Sequence, residues 1–64
     1  MEIMVRKIRI EIGLSGKELA SISGISASHI SDIENGIKIP SIVVICKLAK
    51  ALGVPPGELF SCDD

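Results

Sequence analysis

Apolar residues recur along this chain at intervals of three and four, in short stretches that a glycine or a proline interrupts. Such spacing sets one face of a helix toward a core, so the pattern predicts an all-α chain of five short helices. Val5, Ile8 and Ile12 line the inner face of a first helix over residues 2–12, with Arg6, Lys7, Arg9 and Glu11 outward or partnered, and Gly13 stops it. Ser15 stands three residues before Glu18, the spacing at which serine and glutamate each satisfy the other's free backbone amide, so a second helix starts there and covers 16–23. Leu19 and Ile22 lie on its neighbouring faces, and Ala20 is small enough for another helix to approach closely. Gly24 ends it, since glycine adopts positive φ without steric cost, and Ile25 plugs the angle that follows.

Ser26 reads as the next cap, opening a third helix over 27–34. Ile30 and Ile33 face inward there, whereas Ala27, Ser28, Ser31 and Asp32 face out, and Asn35-Gly36 closes the helix. After the loop Ile37-Lys38-Ile39, Pro40-Ser41 introduces a fourth helix over 41–52, with Val44, Ile45, Leu48, Ala49 and Leu52 as its stripe and Lys47 and Lys50 outside. Cys46 is read on that buried stripe, as a small hydrophobe. Gly53 terminates the helix, and Pro55-Pro56 starts a short fifth one over 56–60, whose Leu59 and Phe60 close the core.

Two short amphipathic segments hinged at Gly24, each with its own cap, have the layout of a helix-turn-helix. The chain resembles the phage repressor and Cro type of helix-turn-helix domain, the XRE-like bacterial and phage regulators. The resemblance rests on Arg6-Lys7-Ile8-Arg9 before Gly13-Leu14-Ser15, then Glu18-Leu19-Ala20, Gly24-Ile25-Ser26 and Ile30-Ser31-Asp32-Ile33-Glu34-Asn35-Gly36. It continues through Pro40-Ser41, Leu48-Ala49-Lys50-Ala51-Leu52-Gly53-Val54 and Glu58-Leu59-Phe60, so it spans nearly the whole chain. It implies a compact five-helix fold in which the third helix enters the major groove of double-stranded DNA.

Carried over by position, the resemblance puts Ala27, Ser28, Ser31 and Asp32 against base edges, where Ala27 meets a thymine methyl and Asp32 accepts from a cytosine amino group. It puts Gly16, Lys17, Ser26, His29, Asn35 and Lys38 against phosphates, Gly16 through its backbone amide alone, where the family usually has a glutamine. It also makes Arg9 and Glu34 a structural ion pair between the first helix and the end of the third.

Composition agrees with one small domain over residues 1–64: 47% of the residues are apolar, with a single Phe and neither Trp nor Tyr, so the core is aliphatic. No apolar run reaches the roughly 20 residues that span a bilayer, and MEIMVRK lacks the order of a secretion signal, so a cytoplasmic location is expected. Seven Lys and Arg against eight Asp and Glu leave a formal charge of −1, so any attraction to DNA must come from placement: Lys17 and Lys38 flank the third helix while Glu58, Asp63 and Asp64 gather at the far end.

One histidine and two cysteines without ligand spacing exclude a metal site, and nothing in the chain activates a nucleophile, so no enzyme, cofactor or small-molecule ligand is expected. Packing is the expected role for the cysteines, with an intermolecular disulfide or redox role through Cys62 as the alternative. Ile10, Ile37, Ile39 and Val43 have no core position, and exposed they form a patch of the kind that marks interfaces. A homodimer using Ile39, Val43, Pro55, Pro56, Leu59 and Phe60 is the corresponding expectation, reading a palindrome with half-sites about 34 Å apart. The competing class is a protein-interaction module, antitoxin-like or anti-repressor, that keeps the fold with a weakened DNA surface; Gly16, Asp32 and the exposed isoleucines favour it.

Overall fold

The computed structural model describes residues 2–61, and in them four α-helices follow in chain order: α1 Val5–Ile12, α2 Gly16–Ser23, α3 Ala27–Glu34 and α4 Ile42–Leu52. The expected fifth helix is instead a single 3-10 turn, Pro56–Leu59, and the expected start of the first helix is taken by a strand. That strand, β1 (Glu2–Ile3), pairs antiparallel with β2 (Phe60–Ser61), Ile3 opposite Phe60, and the Met4 amide donates to the Leu59 carbonyl at 2.7 Å. Two-residue strands are too short to show an alternating pattern, which is why the spacing of apolar residues extended the helix through them. The expectations for Cys62, Asp63 and Asp64 lie outside the described residues.

Each helix starts where its cap allows. Ser15 Oγ accepts from the Glu18 amide at 3.0 Å while Glu18 Oε1 accepts from the Ser15 amide at 3.0 Å. Ser26 and Ser41 cap α3 and α4 in the same way, accepting from His29 N at 3.1 Å and Val44 N at 3.2 Å. Gly24 and Gly36 reverse the chain after α2 and α3 at φ of 75° and 73°, a region open to glycine without steric strain. These caps matter because α1, α2 and α3 have eight residues each, too few for a helix to persist in water on propensity alone.

Packing supplies the rest. Val5, Leu19, Ile25, Ile30, Ile33, Leu48, Ala49, Leu52 and Leu59 form one buried cluster, with α2 lying against both α3 and α4 and α1 against α4. Ile25 is buried in the turn as expected, its amide donating to Ser23 Oγ. Positions read as inward that are not include Ile12, exposed in the last turn of α1, as Ile22 is in the last turn of α2. Cys46 is another, being exposed because it stands four residues from both Ile42 and Lys50, on the outer face of α4. Conversely Leu59 is only 1% exposed, so it belongs to the core and is not available to a dimer surface.

Arg9 ties α1 to the rest. Its guanidinium donates through Nε to Glu34 Oε2 at 2.9 Å, through Nη2 to Glu34 Oε1 at 3.2 Å, and through Nη1 to the Leu14 carbonyl at 2.9 Å. The two side chains are only 14% and 9% exposed, so this fork links α1, the loop before α2 and the end of α3 in a nearly dry setting. The Glu34 hydrogen bond, outweighing partial burial and reinforced by the charge of Glu34, raises the Arg9 pKa further above its ordinary value.

Two outcomes are expected. Arg9→Ala leaves Glu34 part-buried and unpaired and costs about 1–3 kcal/mol, read as a lowered denaturant midpoint; an unchanged midpoint removes the pair from the account of stability. The Glu18 carboxylate is held below its ordinary pKa by the Ser15 amide first and the Ser15 hydroxyl second. A carboxyl depressed by folding adds stability above its unfolded pKa and loses that contribution as pH falls through the folded value. Glu18→Gln keeps the acceptor without the charge, so its midpoint should fall below wild type near neutral pH and converge on wild type as pH falls through the folded value of Glu18. A gap that does not narrow as pH falls would contradict a charged cap.

Candidate nucleic-acid interface

With Ile30 and Ile33 each 1% exposed in the core, the opposite side of α3 has to face outward. Ala27, Ser28 and Ser31 are exposed on it and Asp32 is half-buried, so the four residues read as a base-contacting set do share one outer surface. Ser31 is not idle there: its Oγ accepts from Asn35 Nδ2 at 3.2 Å, which leaves its proton and the second amide hydrogen of Asn35 for another acceptor.

Around this surface stand donors. The amides of Gly16 and Lys17 in α2, and of Ala27 and Ser28 in α3, occupy first-turn positions that no intrahelical carbonyl can satisfy, and such helix starts favour anions. Ser26 accepts with its hydroxyl and keeps its proton to give. The Lys17 side chain is exposed, and among the described residues no carboxylate lies within ion-pair distance of it. His29 is half-buried and its amide is spent on the Ser26 cap; its ring has no hydrogen-bond partner among the described residues.

Lys38 is placed differently from a free phosphate donor. Its Nζ lies 3.6 Å from Asp32 Oδ2, so the outward carboxylate of α3 and the cation of the following loop face each other. The backbone arranges this: after Gly36 the amides of Ile37 and Lys38 both donate back to the Asp32 carbonyl, at 2.8 and 3.3 Å. Sequence reasoning treated the two residues as separate contacts and missed the pair, because they are six apart and helical spacing does not join such positions. The signal was the Asn35-Gly36 turn, which folds the loop back onto the end of α3.

The proposed dimer residues also divide. Ile39 and Val43 are 81% and 63% exposed and Ile37 and Ile42 are 69% and 79% exposed, so four large apolar side chains stand in solvent along the loop and the start of α4. Pro55 and Pro56 are exposed and Phe60 is half-buried at the opposite end of α4. Among the described residues no helix is long and apolar enough to cross a membrane, and no group of three His, Cys, Asp or Glu side chains gathers as a metal site would require.

Comparison with known proteins adds to this geometry. The helix-turn-helix family pattern matches residues 5–59, from the start of α1 to the last residue of the 3-10 turn. The chain is 46% identical over 52 residues to the transcriptional repressor RghR of Bacillus subtilis, covering 80% of this chain but 38% of that protein. It is 41% identical over 57 residues to the control protein C.BamHI of Bacillus amyloliquefaciens, covering 88% of this chain and 70% of that one. The crystal structure of the restriction-modification controller protein C.AhdI from Aeromonas hydrophila superposes with a TM-score of 0.84 at 43% identity, covering 88% of this chain and 85% of that chain. With its capped α2 and α3 set at the Gly24 turn and the family pattern running across both, the chain belongs to the helix-turn-helix family, to which it is joined by likeness to a transcriptional repressor and to controller proteins.

Proposed function

We propose that this chain binds double-stranded DNA in a sequence-specific way and regulates transcription, as a homodimer on a palindromic operator. The observation that carries the reading is the outer face of α3, polar and exposed, on a helix whose other face is locked into the core by Ile30 and Ile33 and whose end is gripped by Arg9. In this reading α3 lies in the major groove with Ala27, Ser28, Ser31 and Asp32 toward base edges. Phosphates are taken by the amides at Gly16 and Lys17, and by the side chains of Lys17, Ser26, His29, Asn35 and Lys38. The likeness to C.BamHI and C.AhdI supports a small regulator of this kind, and occupation of a promoter is the simplest route to repression.

Dimerisation rests on the apolar surface of Ile39 and Val43, with Pro55, Pro56 and Phe60 as a second candidate face. A second reading, a protein-interaction module, is favoured by that same apolar run and by the carboxylate of Asp32 on the outer face of α3.

Selection of bound sequences from a random duplex pool at about 0.1 M salt separates the two. An enriched inverted repeat with half-sites about one helical turn apart supports the operator-binding dimer, whereas no enrichment and no salt-sensitive binding favours the interaction module. On the selected site, Lys17→Ala should weaken all sequences alike and flatten the salt slope by roughly one unit per copy, while Ser28→Ala should weaken the preferred site more than random DNA. Equal losses for Ser28→Ala on every sequence would remove it from base reading. Sedimentation should give a dimer at tens of micromolar and a shift toward monomer for Val43→Asp; monomer for the wild type would sink the dimer.

A further inference from the structure

The ion pair between Asp32 and Lys38 joins a residue read as a base contact to one read as a phosphate contact. Lys38 is 58% exposed and Asp32 28% exposed, so the pair sits at the surface, and surface pairs of this length are weak. The backbone nevertheless holds it, because the loop amides of Ile37 and Lys38 are bonded to the carbonyl of Asp32 itself. Either side chain can therefore leave the other without the loop moving.

From this geometry we propose that Asp32 and Lys38 form a charge latch that makes phosphate binding by Lys38 depend on what Asp32 meets in the groove. The proposal rests on the DNA-binding reading above and deepens it. On a sequence that offers Asp32 no hydrogen-bond donor, the carboxylate keeps Lys38 as its partner, and the two charges together contribute nothing to phosphate attraction. At a cytosine the exocyclic amino group donates to Asp32, as an acidic side chain in the major groove requires. The carboxylate is then satisfied by the base, and Lys38 is free to take a phosphate. One residue thus works against random DNA by holding a cation in a pair with no net charge.

The latch has a thermodynamic signature that a plain phosphate contact lacks. Each phosphate neutralised contributes about −0.9 to the slope of log affinity against log salt concentration. A dimer using Lys17 alone on random DNA has a slope near −2, and one using Lys17 and Lys38 on its operator has a slope near −4. The operator slope is therefore steeper than the random-DNA slope by about two units. A lysine that always binds phosphate adds the same amount to both.

The experiment is a salt titration of the wild-type dimer, Asp32→Asn, Lys38→Met and the double variant, on the selected operator and on scrambled duplex. Circular dichroism at the same salt checks that each variant is folded. The expected result is a steeper operator slope in the wild type. In Asp32→Asn the random-DNA slope should rise to the wild-type operator value, and affinity for scrambled duplex should increase several-fold. Lys38→Met in the wild-type background should leave the scrambled-duplex slope unchanged and flatten only the operator slope; in the Asp32→Asn background it should flatten both. If the wild type selects an operator but has equal slopes on both duplexes, or if Lys38→Met flattens the scrambled-DNA slope equally with and without Asp32, the latch is overturned while DNA binding stands. If the wild type binds no duplex in a salt-sensitive way, the DNA reading falls and the latch falls with it. Lys38→Met needs no change at Asp32, so it decides the matter even where Asp32→Asn does not fold.

Discussion

The orientation of α3 depends on one part-buried fork. Arg9 reaches from α1 to both oxygens of Glu34 and to the Leu14 carbonyl, so a single guanidinium fixes the end of α3 relative to the residue that precedes the cap of α2. The geometry suits arginine and not lysine, because only a planar group with several donors can serve a carboxylate through two bonds and a carbonyl through a third. Hydrophobic burial holds the helices together but is non-directional. The fork supplies the direction.

The second constraint is length. Helices of eight residues have few internal hydrogen bonds, so their ends count for as much as their middles. Three serines, at 15, 26 and 41, take up first-turn amides, and glycines follow α1, α2 and α4 directly at Gly13, Gly24 and Gly53. The same serines leave some first-turn amides open at the starts of α2 and α3. Capping and anion affinity are thus two results of one feature of short helices, the excess of donors at their N-terminal ends.

Much of this was legible from spacing alone. Ser15 with Glu18, Ser26 before Ile30 and Ile33, and Gly24 between them are local signals, and local signals survive without knowledge of the tertiary fold. The Arg9 and Glu34 link came from family resemblance, since nothing in a 25-residue separation announces a contact. What was not legible depended on contacts distant in sequence or on the angle between elements. The pairing of Ile3 with Phe60 leaves no pattern in two-residue strands, the burial of Leu59 follows from how the 3-10 turn docks on α4, and the exposure of Cys46 follows from which side of α4 its neighbours cover. The facing of Asp32 and Lys38 was hidden because it arises in a turn and not along a helix.

The short strand pair has a topological consequence. Joining Glu2–Ile3 to Phe60–Ser61, with the Met4 amide on the Leu59 carbonyl, brings together the two edges of the stretch that the helices occupy. The fold is therefore a ring closed by a few hydrogen bonds, and the closing contacts are the ones most separated along the chain. Closing a loop costs entropy that grows only slowly with its length, by about 0.6 kcal/mol for each doubling, so even a modest seam can be kept shut once the helices have packed. A peptide linker across that seam would join neighbours already in place, and the chain could then be opened at another loop with its helices still in their present order around the ring.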